Sequence, residues 1–243
     1  MKNSLIYSAI VCAAGSSSRM GGKVRKPYLK LRGKPILSWT LAALAKVKGL
    51  AEIVLVTRPE DRPMALRCAK LAKLPKCIAI VCADGGARRQ DSVFQGLKAT
   101  RADAQLVLIH DAARPFAKRE IMERGCAVAL ECGASILAIR VKDTVKKEKD
   151  QEKGATDARI ETTVPRAGHW LAQTPQTFRR ELILGLFERL NAKMPEREVT
   201  DDASICELFG KPVALVESSE TNFKVTRPED LAIAEAFLKA GIV

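Results

Sequence analysis

The sequence predicts a doubly wound, mostly parallel α/β sheet from which a β-hairpin arm projects. Two patterns support this fold: apolar strands alternate with segments of helical spacing, and polar or small residues directly follow three of the strands. These loops, 13–19, 84–90 and 110–115, would meet at the carboxyl edge of a parallel sheet, where ligands bind. The 243 residues fit one Rossmann-like domain, 1–243, with room for an insertion.

Strand and helix alternate in the order that a parallel sheet requires. The apolar, β-branched run 6–12 predicts the first strand, and leucines and an isoleucine at helical spacing between 36 and 44 predict the first helix. The same two patterns predict the remaining elements. Strands are expected at 52–57, 77–83, 105–109, 134–141 and 212–216. Helices are expected at 35–46, 63–74, 90–100, 118–131, 179–191, 201–209 and 228–240.

Residues 142–170 interrupt this alternation. The segment is charged, contains glycine and is bounded by β-branched pairs, which predicts a projecting β-hairpin arm inserted in the domain. Because a lone hairpin is marginally stable in water, we expect the arm to pack on a second copy of the chain, and the default assembly is a homodimer. The alternative for the tip, 146–157, is a disordered surface insertion.

The loop after the first strand has the composition of an anion site. It begins with the small residues Ala13, Ala14, Gly15 and three serines, and four cations follow: Arg19, Lys23, Arg25 and Lys26. Small side chains let backbone N–H groups reach an anion, and a guanidinium binds phosphate through two parallel hydrogen bonds. The loop matches neither a Walker loop nor a dinucleotide fingerprint. The alternative is a Gly/Ser turn with solvated charges.

Composition narrows the ligand class. The net charge of +13 favours polyanionic partners, but aromatic residues make up only 5% of the chain, so small polyanions are favoured over nucleic acid. Seven cysteines form no C-x-x-C pair and there are two histidines, which argues against disulfides, thiolate zinc and histidine clusters. A hard cation held by carboxylate and phosphate oxygens stays open.

The apolar N-terminal run has a second interpretation as a secretory signal. A lipoprotein-type signal would place a small residue before Cys12, but Val11 stands there, and cations follow directly from Arg19. No run approaches the ~20 apolar residues of a membrane span. We therefore expect a cytoplasmic protein that binds no membrane.

Motifs over nearly the whole chain resemble those of one enzyme family. In order, they are AAGSSSRM, RKPYL, DGGARRQDSV, HDAARPF, VKDT, QTPQTF, TDDAS and NFKVTRPEDL. This set is similar to that of the 2-C-methyl-D-erythritol 4-phosphate cytidylyltransferases of the non-mevalonate isoprenoid pathway. The resemblance implies a nucleotidyltransferase fold and, with Mg²⁺ as cofactor, a reaction in which methylerythritol phosphate attacks the α-phosphorus of CTP and displaces pyrophosphate.

The resemblance also implies residue roles. Arg19 and Lys26 would contact the triphosphate, while Arg166 and Lys224 would position the attacking phosphate, and these four form the expected catalytic set. The CTP site would comprise Ala13, Ala14, Gly15, Arg19, Lys26, Asp84, Gly85 and Ser92. The acceptor site would comprise Arg114, Thr144, Arg166, Thr174 and Lys224. In the family, the arm of one subunit helps complete its partner's site, so the resemblance implies this role for Arg166, which lies at the base of the arm.

Asp111 is the expected metal ligand. It follows the strand at 105–109, where its carboxylate could hold Mg²⁺ that also bridges phosphate oxygens. Without the resemblance, it could equally cap the helix at 118–131 or pair with Arg114. The same residues-only reasoning favours a structural turn for Arg114 and an exposed strand for Lys224.

Two positions depart from the family pattern, and two other functions compete. Ser17 stands where glycine is common, and Pro27 removes a backbone donor and restrains Lys26 to extended geometry.

The nearest competing function is that of a ribitol or other pentitol 5-phosphate cytidylyltransferase, which shares several of the motifs. A non-catalytic, basic nucleic-acid-binding α/β module is the competitor from another class, and its binding would fall steeply with salt.

Overall fold

A single seven-stranded sheet organises the protein in its computed structural model, which describes residues 5–15, 25–149 and 157–242. The strands are β1 (Tyr7–Cys12), β4 (Leu50–Thr57), β5 (Ala79–Asp84), β6 (Leu106–Asp111), β7 (Ala134–Arg140), β10 (Trp170–Arg179) and β11 (Ala214–Glu217). Two short hairpins stand apart from the sheet: β2 (Lys30–Leu31) with β3 (Lys34–Pro35), and β8 (Val145–Glu148) with β9 (Ile160–Val164). The sheet order is β11-β7-β10-β6-β1-β4-β5.

Helices cover both faces of this sheet. They are α1 (Ile36–Leu44), α2 (Arg62–Ala72), α3 (Arg89–Ala99), α4 (Arg119–Cys132), α5 (Arg180–Lys193), α6 (Ala203–Leu208) and α7 (Pro228–Ala240). One core contains buried residues of α1, α2 and α4, and a second contains those of α3, α5 and α6. Alternate residues of the buried strand β1 enter the two cores, Ala9 and Val11 on one side and Ile10 on the other. The predicted doubly wound, mostly parallel α/β fold is confirmed.

The interior strand β10 is an element of the main sheet that sequence patterns missed, as they also missed the short β2–β3 hairpin. It runs antiparallel between β6 and β7, whereas the other neighbouring strands of the sheet pair in parallel. Its pairing with β7 shifts between Ala172 and Gln176, and Pro175 lies within this irregularity. A proline argues against a central strand because it cannot donate a ladder hydrogen bond, and the bulge at this point removes that objection. The other predicted elements shift by a few residues at most, and α7 has the predicted bounds.

The arm is present as the exposed antiparallel pair β8 and β9. Because β8 covers 145–148, the expectation of a disordered insertion is wrong for 146–148. The rest of the predicted tip, 150–156, lies outside the described residues. In the described ranges, no helix combines the length and the apolar character that a membrane crossing needs.

Candidate active site

A cavity of about 600 Å³ opens at the carboxyl ends of β1, β4, β5 and β6. The described parts of all three predicted loops line it, through Gly15, Gly85 and Asp111, and Lys224 reaches it from the segment before α7. A smaller cavity of about 290 Å³ adjoins it and shares Gly15, Asp111 and Lys224 with the first. The sheet edge thus brings together residues that lie more than two hundred positions apart, such as Gly15 and Lys224.

Asp111 lies in the wall between these two cavities and binds two cations. Its Oδ2 lies 3.1 Å from Nζ of Lys224 and 3.2 Å from Nε of Arg114. The carboxyl side chain is only 12% exposed. Burial opposes its charge, but Lys224, Arg114 and Arg89 together hold the pKa of Asp111 well below its usual value. The carboxylate is therefore ionised at neutral pH. The pairing with Arg114, which the residues alone left open beside a helix cap, is observed, and Asp111 borders both cavities.

Lys224 is held in place by its neighbours in the chain. Asn222 accepts a hydrogen bond from Arg114 Nη1 at its backbone oxygen, and the N–H of Val225 donates to Ala113 at 2.9 Å. These two contacts strap the segment on either side of Lys224 to the turn after β6. The lysine side chain is 42% exposed, and so it is open to a ligand on one side and bound to Asp111 on the other. It lies in a loop, not in the exposed strand that residues alone favoured.

The glycines after β5 pack against the loop after β1. A Cβ placed on Gly85 would lie 2.4 Å from Cβ of Ala14 and 3.2 Å from Oγ of Ser92. The Ser92 hydroxyl accepts from the N–H of Gly86 at 3.0 Å, so it supports this turn. Asp84 is exposed and forms an ion pair with Arg62. Thus Gly85 and Ser92 line the cavity, whereas Asp84 lies outside its wall.

The loop after β1 is described only as far as Gly15. The N–H of Ala13 donates to the carbonyl oxygen of Val56 at 2.8 Å, so this donor serves the fold. Ala14 and Gly15 line the larger cavity, and Arg58 Nε donates to the oxygen of Ala14. The expected contacts of Arg19 and the departure at position 17 lie outside the described residues.

Lys26 lines the smaller cavity beside Pro27 and begins a short 3₁₀ turn, so the expectation that Pro27 restrains Lys26 to extended geometry is wrong. Its neighbour Arg25 turns away and forms ion pairs with Glu60 and Asp61. Arg25 therefore anchors the turn to the segment after β4, and its charge is already neutralised. Among the described cations of this loop, Lys26 is the one that faces the site.

Arg89 is a cavity residue that the sequence reasoning missed. It begins α3 and makes two hydrogen bonds to the fully buried carboxylate of Asp202, at 3.0 and 2.7 Å. Gln176 Oε1 in turn accepts from the N–H of Asp202 at 3.0 Å, which ties the pair to β10. The signals were present, because Arg89 lies in the DGGARRQ motif and Asp202 in the TDDAS motif.

Within one chain, two residues predicted for the acceptor-substrate site lie away from the two cavities at the sheet edge. Arg166 lines a separate open cavity of about 700 Å³ at the base of the arm and donates to the carbonyl oxygen of Lys142. Thr144 is exposed, immediately before β8. Thr174, by contrast, is buried directly behind Asp111, with its Oγ1 3.0 Å from the Asp111 nitrogen. Within a single chain, the fold brings Asp111, Arg114, Thr174 and Lys224 together, but not Arg166 or Thr144.

This fold and this cationic site define an α/β enzyme of the nucleotidyltransferase type. A profile of the 2-C-methyl-D-erythritol 4-phosphate cytidylyltransferases matches residues 7–240. The chain belongs to this family.

Relatives and solved structures agree with this membership. The 2-C-methyl-D-erythritol 4-phosphate cytidylyltransferase of Geobacillus kaustophilus is 40% identical over 232 residues, 96% of each chain. That of Desulforamulus reducens is 41% identical over 232 residues, 95% of each chain. The crystal structure of 4-diphosphocytidyl-2C-methyl-D-erythritol synthase from Anaerococcus prevotii superposes with a TM-score of 0.81 at 34% identity, covering 97% of this chain and 96% of that one. The Thermus thermophilus cytidylyltransferase gives 0.72 at 33% identity, covering 95% and 98%.

Proposed function

We propose that the protein transfers CMP from CTP to 2-C-methyl-D-erythritol 4-phosphate, giving 4-diphosphocytidyl-2-C-methyl-D-erythritol and pyrophosphate. The observation that carries this proposal is that the three loops matching the family motifs converge, in their described parts, on one cavity with Lys224 and Asp111 in its wall. The acceptor phosphate attacks the α-phosphorus in line with the departing pyrophosphate. Both bonds involve phosphate oxygens, so the reaction requires no covalent protein nucleophile.

Charge repulsion is the main obstacle to this reaction. Two like charges ~4 Å apart cost about 4 kcal/mol at an effective dielectric constant of 20, and several such pairs form as the two phosphates meet. Lys26 and Lys224 face the smaller cavity and supply positive charge there. Lys224 is held by Asp111, so it is already in position before a ligand arrives. Catalysis then consists of positioning and charge neutralisation, and the alignment of the two bound reactants by itself can contribute about 7–11 kcal/mol.

Two candidate nucleophiles or bases in the site have other roles. Burial raises the pKa of the Cys12 thiol to about 12, so at neutral pH it is a protonated wall residue. Burial lowers the pKa of His110 to about 4, so its imidazole is neutral. Neither group therefore acts as the nucleophile or as an ionised base, which agrees with a mechanism carried by cations and alignment.

On the nucleotide side, we assign the base to the space between the loops after β1 and β5. Gly85 and Ser92 line this space with Ala14, and the small residues leave room for a pyrimidine ring. Arg88 and Arg89 border the same cavity, and each is paired with a carboxylate, that of Asp91 and that of Asp202 respectively. We assign the triphosphate to Lys26 and to Arg19, and the acceptor phosphate to Lys224 and to a partner's Arg166.

Asp111 fits the expected Mg²⁺ as a single protein ligand. Its carboxylate is ionised, borders both cavities and contacts Lys224 and Arg114 through Oδ2. In the part of the chain that the structure describes, no group of three His, Cys, Asp or Glu side chains converges, and Mg²⁺ commonly binds one or two carboxylates together with substrate phosphates and water. When bound there, the ion would neutralise phosphate charge beside Lys224.

We further propose that the enzyme works as a cytoplasmic homodimer in which each arm completes the site of the other subunit. The support is the distance in space between the arm and the cavity: Arg166 and Thr144 lie at the base of β8 and β9, apart from Asp111. Ile160 on β9 is exposed, and an isolated hairpin needs such residues covered. The free cysteines are consistent with a reducing compartment.

Pyrophosphate release tests the reaction itself. The protein is incubated with CTP, Mg²⁺ and methylerythritol phosphate, beside a reaction containing ribitol 5-phosphate. Pyrophosphate release with methylerythritol phosphate but not with ribitol 5-phosphate supports the proposal. Faster release with ribitol 5-phosphate would make that compound the acceptor instead. No release with either acceptor refutes the enzymatic function. Lys224→Ala should lose turnover, whereas Lys193→Ala, which removes an exposed lysine at the end of α5, should not.

A mixing experiment tests the shared site. Arg166→Ala and Lys224→Ala should each be inactive as homodimers, but a mixed dimer contains one site with both residues intact. If subunits exchange freely, about half of the dimers are mixed, and about a quarter of the parent activity returns. If both homodimers are inactive and no activity returns, with subunit exchange confirmed by mass spectrometry, Arg166 acts in its own chain's site and the shared site is refuted.

A further inference from the structure

The fully buried His110, the residue before Asp111, has both ring nitrogens in hydrogen-bond contacts. Nδ1 lies 2.9 Å from Oγ1 of Thr174 on β10, and Nε2 lies 3.0 Å from the backbone oxygen of Arg114. The ring therefore connects β10 to the far end of the turn at 111–114. The N–H of Arg114 closes this turn on the oxygen of Asp111 at 3.1 Å.

The partners fix the direction of each hydrogen bond. The Arg114 oxygen can only accept, so Nε2 carries a proton and donates. Thr174 Oγ1 already accepts from the N–H of Asp111 at 3.0 Å, and its own proton points to the remaining partner, Nδ1 of His110. The chain of donors thus runs from the Asp111 backbone through Thr174 and His110 to the Arg114 carbonyl group.

We propose that His110 is a positioning residue of the transferase reaction, which it serves, together with Thr174, by clamping both ends of the turn that carries Asp111 and Arg114. The inference rests on the proposed function, because it concerns the same reaction. It also changes the expected role of Thr174, whose hydroxyl is used by the protein and is only an indirect contributor to the acceptor site.

The clamp has consequences because both functional side chains of the turn depend on its shape. Asp111 Oδ2 must keep its contacts of 3.1 and 3.2 Å with Lys224 and Arg114. Arg114 also holds the oxygen of Asn222 through Nη1 at 2.8 Å, which positions the segment leading to Lys224. A relaxed turn would therefore displace three charged groups at once, although His110 itself touches no ligand.

Kinetics of two variants test the role. His110→Leu and Thr174→Val each interrupt this chain of hydrogen bonds by introducing an apolar side chain of similar size. We expect kcat to fall by about 10–100-fold, the usual effect of losing a residue that orients a functional group, while KM for CTP stays near the parent value. Thr174→Ser, which keeps the hydroxyl, should restore most of kcat.

Ser135→Ala is the matched control. Ser135 is also buried, on β7, and donates one hydrogen bond of 2.8 Å to the oxygen of Gly125. This variant should lose stability but keep kcat. If His110→Leu and Thr174→Val fold and keep parent kcat, or if Ser135→Ala loses as much kcat at equal loss of stability, the positioning role is refuted.

A ¹⁵N spectrum of the parent protein needs no variant of the site. The chain has two histidines, and an exposed His169 can be removed as His169→Gln to assign the signals. We expect His110 to show a protonated Nε2 and an unprotonated Nδ1, with the Nδ1 signal shifting in Thr174→Val. A protonated Nδ1 would overturn the clamp. The spectrum does not depend on turnover, so an inactive parent enzyme would count against the proposed function alone.

Discussion

Gly85→Ala should disturb the nucleotide side of the site more than its small size suggests. The added Cβ would lie 2.4 Å from Cβ of Ala14, whereas ordinary contacts begin at 3.4 Å. Both atoms are Cβ atoms, whose positions are fixed by the backbone, so neither can rotate away. The loops after β1 and β5 must therefore separate by about 1 Å. Such overpacking costs roughly 1–3 kcal/mol of folding free energy, and a displacement of this size can lower kcat/KM by up to about 100-fold.

Urea unfolding and steady-state kinetics with varied CTP measure the two effects of Gly85→Ala. The matched control is Gly185→Ala in α5, where nothing lies within 4 Å of the added Cβ. This control should leave kinetics unchanged and stabilise the protein by roughly 0.5–1 kcal/mol, because alanine is the better helix former. Parent stability together with parent KM for CTP in Gly85→Ala would refute the argument that this glycine is required by close packing of the two loops.

Three further predictions concern charges around the cavity. Arg25→Gln frees the anchor of the 3₁₀ turn and should raise KM for CTP by about two- to fivefold in steady-state assays; an unchanged KM would show that its ion pairs do not position Lys26. Arg89→Met leaves Asp202 buried without its partner and should cost about 3–5 kcal/mol in urea unfolding, much of it recovered by adding Asp202→Leu; no loss in the single variant would contradict the pairing. Burial lowers the pKa of His110 from 6.5 to about 4, so the unfolded chain takes up a proton at a higher pH than the folded protein does. The free energy of unfolding should therefore fall by about 3 kcal/mol as the pH drops from 6.5 toward 4, and His110→Leu should lack this part of the fall. Equal losses in both proteins would refute this.

The periodicity of the chain predicted most of the fold because most elements bury one face locally. α7 was found at its predicted bounds, Pro228–Ala240, since a proline marks its first turn and Gly241 its end. β10 was missed because its place in the sheet depends on partners: β6 and β7 pair with it from both sides, and the bulge beside Pro175 is visible only once they do.

The candidate site was predictable where a motif directly follows a strand. Asp111 and Gly85 were found in this way, because the carboxyl ends of parallel strands share one edge. Arg25 and Arg89 show the limit of this reasoning. Both are arginines in basic motifs, but Arg25 is neutralised by acidic residues 35 and 36 positions away, and Arg89 by one 113 positions away.

The sequence by itself determined the alternation of strand and helix, the arm and the preference for small polyanionic ligands. Local side-chain size, spacing and charge are sufficient for these properties. Only the tertiary structure decided which cations face the cavities. Lys224 reaches Asp111 because the segments around Asn222 and Val225 are strapped to the turn after β6. Such pairings depend on distances in space, and residue order along the chain does not encode them locally.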